Sequence, residues 1–208
     1  MTVSTEAPDV ADKTYPTMFP PYKGTKSTVI ILDSTPSSFR DAWSNQVAFV
    51  RNINKHSKLD GMAVVVIDCP SRTAVEWRKY TEEEIGKELM KYEFRGQGTA
   101  TYQAYGIARV FVQLNYSPET AVIVVSNGKT SDCELPDVWE TEFTLSRLWR
   151  GYGVRLIYVA VHGTKDFNMK NIKEIIGTTG IIVDVDNINQ LEQAAVQRVI
   201  PLIPPFTP

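Results

Sequence analysis

The turn after residues 29–32 carries the side chains best suited to chemistry. Asp33, Thr35 and Ser37 alternate along it, one carboxylate and two hydroxyls, with Ser34 and Pro36 between them. Alternate residues of a turn can face one point. Oxygen donors without thiolate or imidazole suit a hard divalent cation such as Mg²⁺, with water filling the remaining positions. Two other polar turns supply similar donors: Gly96-Gln97-Gly98-Thr99-Ala100-Thr101 offers the Thr99 hydroxyl, and Ser126-Asn127-Gly128 offers the Asn127 amide. A site with so little negative charge stays net positive once metallated, and wants an acidic ligand from outside. Each turn also has a plainer reading. Ser37 or Ser38 can cap the helix that follows, Thr99 can cap its own helix, and Asn127 can serve the turn at Gly128.

The elements that position these turns follow from hydrophobic periodicity. Residues 29–32 are an unbroken apolar run ending on Asp33. A short apolar run closed by a polar turn suits a buried parallel strand, and open α/β sheets place their ligand sites at the carboxyl ends of such strands. Phe39, Trp43, Val47, Val50 and Ile53 recur at helical spacing and predict one helix from about residue 38 to 58. Residues 62–67 form a second buried strand, closed by Asp68, Cys69 and Pro70. Residues 73–77 follow too closely for a crossover helix. They read as an antiparallel edge strand blunted by Arg72 and Arg78. Thr81 and Glu84 have capping-box spacing ahead of a short helix that turns Ile85 and Leu89 inward. The next helix is expected to bury Ala104, Ile107, Ala108, Phe111 and Leu114. Strands over 119–126, 154–161 and 180–185 alternate with helices over 138–150, 169–176 and 188–200. The alternation predicts an α/β fold: a doubly wound, mostly parallel six-stranded sheet with one antiparallel edge strand and helices on both faces.

The chain's 208 residues suit one domain with a real core. Residues 1–26 carry four prolines and no periodicity and read as an extended arm; 27–200 form the domain; 201–208, with four more prolines, are a tail. A formal net charge of -2 argues against a broad nucleic-acid-binding face. No apolar stretch approaches the ~20 residues of a membrane span. Residues 1–21 are polar, so a secretion signal is not expected within this chain. Cys69 and Cys133 are either two inert thiols or one disulfide, and both fall in strand-end loops on the same edge.

Enzyme signatures are weak. Gly96-x-Gly98 lacks the third glycine and the setting of a nucleotide fingerprint, and neither a P-loop nor G-x-S-x-G occurs. A triad of Ser37, His162 and Asp68 lacks the nucleophile-elbow context. His56 lies at a helix end, and His162, at a strand end, is the better functional candidate of the two histidines. Asn115-Tyr116-Ser117 fits a glycosylation acceptor, weakened by Pro118. Trp77, Tyr80, Tyr102, Tyr105, Tyr116, Trp139 and Tyr152 exceed what the expected core faces need; they are expected either on a protein-binding surface or on core faces misassigned by pattern.

Taken together, residues 27–200 resemble a von Willebrand factor type A domain. That family has a strand ending in D-x-S-x-S, a helix led by T-x-T, and a later strand ending in T-D-G. This chain has Asp33-Ser34-Thr35-Pro36-Ser37, Thr99-Ala100-Thr101 and Ser126-Asn127-Gly128, in the same order. The resemblance implies a metal-ion-dependent adhesion site with Asp33, Thr35, Ser37, Thr99 and Asn127 as ligands, taking a carboxylate from a partner protein. Two departures predict a weakened Mg²⁺ site: Thr35 stands where the family has serine, and Asn127 where it has aspartate. Asp68, Asp132 and Asp166, on the same edge, could partly compensate, although each reads first as a solvated charge. The implied function is non-enzymatic: an extracellular adhesion or matrix module that binds another protein, collagen among the candidates. The alternative is a metal-independent structural or oligomerising scaffold, which also admits a cytoplasmic setting. A small α/β hydrolase is the third reading.

Overall fold

The computed structural model describes residues 26–94, 100–115, 117, 119–129, 153–178 and 180–203. Strand β1 is Lys26–Asp33. It is followed by helices α1 (Ser37–Asp41) and α2 (Trp43–Ser57), then strands β2 (Gly61–Ile67) and β3 (Arg72–Arg78). Helices α3 (Glu82–Met90) and α4 (Thr101–Leu114) lead to β4 (Glu119–Ser126). Strand β5 (Arg155–Val161), helix α5 (Met169–Ile176), strand β6 (Ile181–Val185) and a short helix α6 (Leu191–Ala194) complete the described elements, with irregular helical turns around α6. The expected helix over 138–150, and the Thr99 turn, lie outside the described residues.

The sheet runs β3-β2-β1-β4-β5-β6, parallel throughout except for β3, which pairs antiparallel with β2. The expected doubly wound α/β architecture is therefore the observed one. Strand residues alternate between two cores. Ile30, Leu32, Ile123 and Val125 face α2, α3 and α6. Val29, Ile31, Val122 and Val124 face α4 and α5. Because β1 is central and both its faces are covered, its whole length is buried.

Several local expectations changed. The helix expected over 38–58 is interrupted at Ala42, where the backbone leaves the helical region (φ -99, ψ 26). The helix expected over 188–200 divides into 3₁₀, α, π and 3₁₀ turns. Pro201 offers no N–H to Gln197, four residues back, so an α ladder cannot run through it. On α4 the inward face is Thr101, Ala104, Tyr105, Ala108 and Val112, and Leu114 is exposed. Of those aromatics, the four among the described residues pack in the cores: Tyr80 and Tyr105 are buried, and Trp77 and Tyr102 pack half-buried against the second core. Trp77 covers Gly61, where a Cβ would come within 2.7 Å of the indole. Tyr116, Trp139 and Tyr152 lie outside the described residues. The capping box is as expected: Thr81 Oγ1 accepts from the Glu84 N–H at 3.2 Å, and the Thr81 N–H donates to Glu84 Oε2 at 2.8 Å.

Candidate functional site

The sheet order sets where a site can form. From β1 the chain crosses to β2 on one side, while β4 lies on the other and leads away to β5 and β6. The carboxyl ends of β1 and β4 therefore flank a topological switch point, where such sheets open a crevice. Leu32 pairs with Val125, so the next residues, Asp33 and Ser126, meet across that crevice.

Asp33 is the floor of this corner and is wholly buried. Its Oδ1 accepts the Thr35 backbone N–H at 2.9 Å and the Thr35 hydroxyl at 2.7 Å. Its Oδ2 accepts the Ser126 hydroxyl at 2.7 Å, and the Ser126 oxygen in turn accepts the Gly128 N–H at 3.1 Å. Burial pushes the Asp33 carboxyl up from its ordinary range, opposed by these hydrogen bonds and by the positive charge of Lys129. Behind it stand Tyr105 and Tyr158, also buried. Burial pushes both phenols up, and the charge of Asp33 adds to it. Among the described residues, neither hydroxyl finds a partner in hydrogen-bond geometry, and neither does the buried Thr101 hydroxyl.

The first loop is pinned from several directions. The Ser34 N–H and hydroxyl both donate to the Ile67 carbonyl, at 3.1 and 2.8 Å, joining the ends of β1 and β2. Gln46 Nε2 donates to the carbonyls of Asp33 and Phe39, both at 3.1 Å. Arg40 Nε donates to the Ser34 carbonyl at 3.0 Å. Pro36, not a serine, occupies the N-cap of α1, without a side-chain capping bond. Ser37 is exposed at the first position of that helix. The capping role open to Ser37 or Ser38 is thus not the observed one.

Asn127, by contrast, does serve its turn. Its Oδ1 accepts the Lys129 N–H at 2.9 Å, an Asx turn over Gly128. Its Nδ2 donates to Thr164 Oγ1 at 3.0 Å, and its carbonyl accepts the Asn168 N–H at 2.8 Å. Gly128 has φ 80, and a Cβ there would stand 2.5 Å from the Asn168 carbonyl oxygen. Only glycine fits that left-handed, crowded position.

The acids considered as compensating charges are otherwise engaged. Asp68 is not a solvated charge. It is fully buried, with Arg40 at 3.5 Å, Arg72 at 3.8 Å and the Tyr92 hydroxyl donating at 3.4 Å. Asp166 pairs with Lys129 at 3.3 Å on the surface. Asp132 lies outside the described residues. The imagined triad is dispersed: His162 pairs with Asp184 at 2.8 Å and stacks on Phe167, away from Asp68 and its arginines. Cys69 is disulfide-bonded, as one of the two cysteine readings expected; Cys133, the chain's other cysteine, lies outside the described residues.

As a metal centre, the corner offers hydroxyl geometry without matching charge. Thr35 can turn a lone pair outward while donating to Asp33, and Ser37 lies at the rim. Yet the carboxylate has both oxygens bonded within the protein. The Asn127 amide is used at both ends. Among the described residues, no group of three or more His, Cys, Asp or Glu could hold a metal ion. Ser126, Gln46, Arg40, Lys129 and Tyr158 are the contributors that sequence pattern left unassigned. Only Ser126 had a signal, its place beside Asn127-Gly128.

The sheet order, with its switch point between β1 and β4, is that of the von Willebrand factor type A fold, and this chain has that fold. Among solved structures, proximal thread matrix protein 1 from the mussel byssus matches with a TM-score of 0.66 and 17% identity, over 86% of this chain and 48% of that one. A further structure of that protein, with a zinc-occupied MIDAS motif, gives 0.68, 17%, 86% and 48%. A von Willebrand factor type A structure from Catenulispora acidiphila gives 0.63 and 16% over 86% of this chain and 43% of its own. The pilus adhesin SpaC from Lactobacillus rhamnosus GG gives 0.63 and 12%, over 86% and 30%. This chain thus spans about half the length of the mussel structures or less of the others. At these identities the likeness establishes the fold. No family model matches the sequence, and no curated protein matches it.

Proposed function

We propose that this chain is a non-enzymatic protein-binding module of the adhesion or extracellular-matrix kind, which engages its partner at the carboxyl edge of the sheet. The observation that carries this reading is the preassembled corner at the β1/β4 switch point. Its floor is bonded through Asp33, Thr35 and Ser126, while Ser37 stays exposed at the rim. A fixed floor under an exposed polar rim favours docking of a partner's side chain, since little must be ordered on binding. The matrix protein and the adhesin among the structural neighbours support the same reading. It makes residues 27–200 the binding module, with 1–26 and 201–208 as connecting arms, in a secreted protein. Collagen and other matrix proteins are the first partners to try.

A Mg²⁺ ion in this module would be held by Asp33, Thr35, Ser37, Thr99 and Asn127. With Asp33 as the one carboxylate of the set, binding would be weak. Among the described residues no helix is long and apolar enough to cross a membrane. The test is solid-phase binding of the full chain to immobilised fibrillar collagen and other matrix proteins, in Mg²⁺ and in EDTA. Saturable binding to at least one of them, reduced at least about tenfold, or about 1.4 kcal/mol, by the rim substitution Ser37→Arg, is expected, since a bulky charged side chain at the centre of the contact introduces a clash and an unpaired charge. Binding that Ser37→Arg leaves unchanged would place the interface elsewhere. The metal-independent scaffold would then be the better reading.

A further inference from the structure

Thr101 Oγ1, Tyr105 Oη and Tyr158 Oη are buried hydroxyls without a hydrogen-bond partner among the described residues. Each residue is 2% exposed or less. Backbone bonds and register fix where they sit. The Ala100 N–H donates to the Asp68 carbonyl at 3.1 Å, and the Ser71 hydroxyl donates to the Ala100 carbonyl at 2.8 Å. Asp68 follows Ile67, the register partner of Asp33, so Thr101 opens α4 beside the ends of β1 and β2. Tyr105 lies four residues on, on the same inward face and about 6 Å along the helix axis. Tyr158 comes from the sheet below. It pairs laterally with Val124, which pairs with Ile31. Alternate strand residues share a face, so Tyr158 lies on the α4 side of the sheet, as do Asp33 and Ser126. Tyr105 and Tyr158 pack in one core cluster, and α4 lies over β1 and β2. The three hydroxyls therefore occupy one layer, between α4 and the carboxyl half of the sheet.

We infer that this layer is a binding site for internal water, held by the hydroxyls of Thr101, Tyr105 and Tyr158. The chemistry selects water over other ligands. A hydroxyl both donates and accepts, and water answers either role. A hydroxyl taken out of solvent with no replacement partner is costly, and internal water characteristically serves such groups. An apolar guest would leave all three stranded. A cation would find no free charge at Asp33, whose two carboxylate oxygens are already bonded to Thr35 and Ser126. The layer is also lined by small residues, Ala104 and Ala108 on α4 and Ala160 on β5, which suit a guest of water's size. The carboxyl-edge end of α4 is thus joined to the sheet through bound water as well as by direct packing. The inference needs neither a partner nor a metal, and so stands apart from the proposed binding reading.

The test compares the intact chain with Tyr105→Phe, Tyr158→Phe and Thr101→Val, each of which removes one hydroxyl at nearly constant shape. Oxygen-17 relaxation dispersion of the solvent reads water held longer than the protein tumbles, and exchange of hydroxyl protons does not disturb it. Urea unfolding of the same proteins reads stability. A hydrated hydroxyl and a dry one give opposite signs. Removing a hydrated one takes a partner from the bound water, so the dispersion amplitude should fall by the equivalent of about one water. The urea midpoint should fall with it, the unfolding constant rising about fivefold. Removing a dry one relieves a desolvation penalty, so the midpoint should rise and the amplitude stay as it was. Thr101→Ser, which keeps the hydroxyl, should keep the wild-type amplitude. Amplitude and midpoint falling together in the folded variants bears the inference out. A rise in midpoint, an amplitude unchanged by the variants, or a wild type with no long-lived water overturns it.

Discussion

Replacing Ser126 by alanine should be among the more damaging single-atom changes near the corner. The hydroxyl donates to Asp33 Oδ2 at 2.7 Å and accepts the Gly128 N–H at 3.1 Å, and all three residues are buried. Alanine leaves a buried carboxyl oxygen and a buried backbone N–H without these partners. A typical buried hydrogen bond contributes about 1 kcal/mol, more when one partner is charged, and stranding its partner costs about 1–3 kcal/mol. Relaxation will recover part of this, so the two losses together should come to about 2–4 kcal/mol. Out of a total stability of about 5–15 kcal/mol that is a large fraction. Ser126→Thr keeps the hydroxyl and should cost less than about 1 kcal/mol if the added methyl finds room. Urea unfolding of both variants, with the disulfide intact, measures the difference as a shift of midpoint at constant slope. If alanine and threonine unfold within about 0.5 kcal/mol of each other, Ser126 does not hold the corner, and the account of Asp33 as a bonded floor is wrong.

Three further outcomes follow from the same geometry. Burial raises the Asp33 carboxyl above its ordinary 3.8. The folded state therefore retains a proton that the unfolded chain releases, and wild-type stability should fall relative to Asp33→Asn as pH rises through 3.8 toward the folded value, then level off. Urea midpoints of both proteins across the acid range would show this; a difference independent of pH would mean Asp33 is not perturbed. Gly128→Ala must move the Asn168 backbone and strain a positive φ, which should cost at least about 1–3 kcal/mol, seen as a lowered thermal midpoint; an unchanged midpoint would deny the close approach. Thr81→Ala removes the α3 cap bond and should cost about 1 kcal/mol, whereas Thr81→Ser, which keeps the oxygen, should recover most of it in the same measurement.

Local pattern determined a great deal in this chain. Runs such as 29–32 and 121–125 are apolar on both faces because their strands are covered on both sides, and no other setting suits them. The short link between β2 and β3 excluded a crossover, so the antiparallel edge was legible as well. The capping box at Thr81 and Glu84 is a local bond between neighbours in sequence, and it formed as the spacing required. Part of the alternation of Asp33, Thr35 and Ser37 is local in the same way: Thr35 bonds Asp33 within two residues, while Ser37 begins α1 and is exposed.

What sequence could not supply depends on which strands lie side by side. Ser126 bonds Asp33 across 93 residues, because β4 rather than another strand pairs with β1. Asp68 resembles any loop acid until the fold places Arg40 and Arg72 around it in a buried setting. Leu114, expected inward, is exposed, and Tyr105, open between surface and core, is buried, because helix phase is set by packing against the sheet and both faces of α4 carry apolar residues. The Asn127-Gly128 turn is held by Thr164, Asn168 and Asn171, residues of a distant segment that only the fold brings to it. Composition and period report each segment's own preference for burial. The sign and strength of charge at a shared corner arise only when distant segments are brought within a few ångströms, where Coulombic and desolvation energies become large.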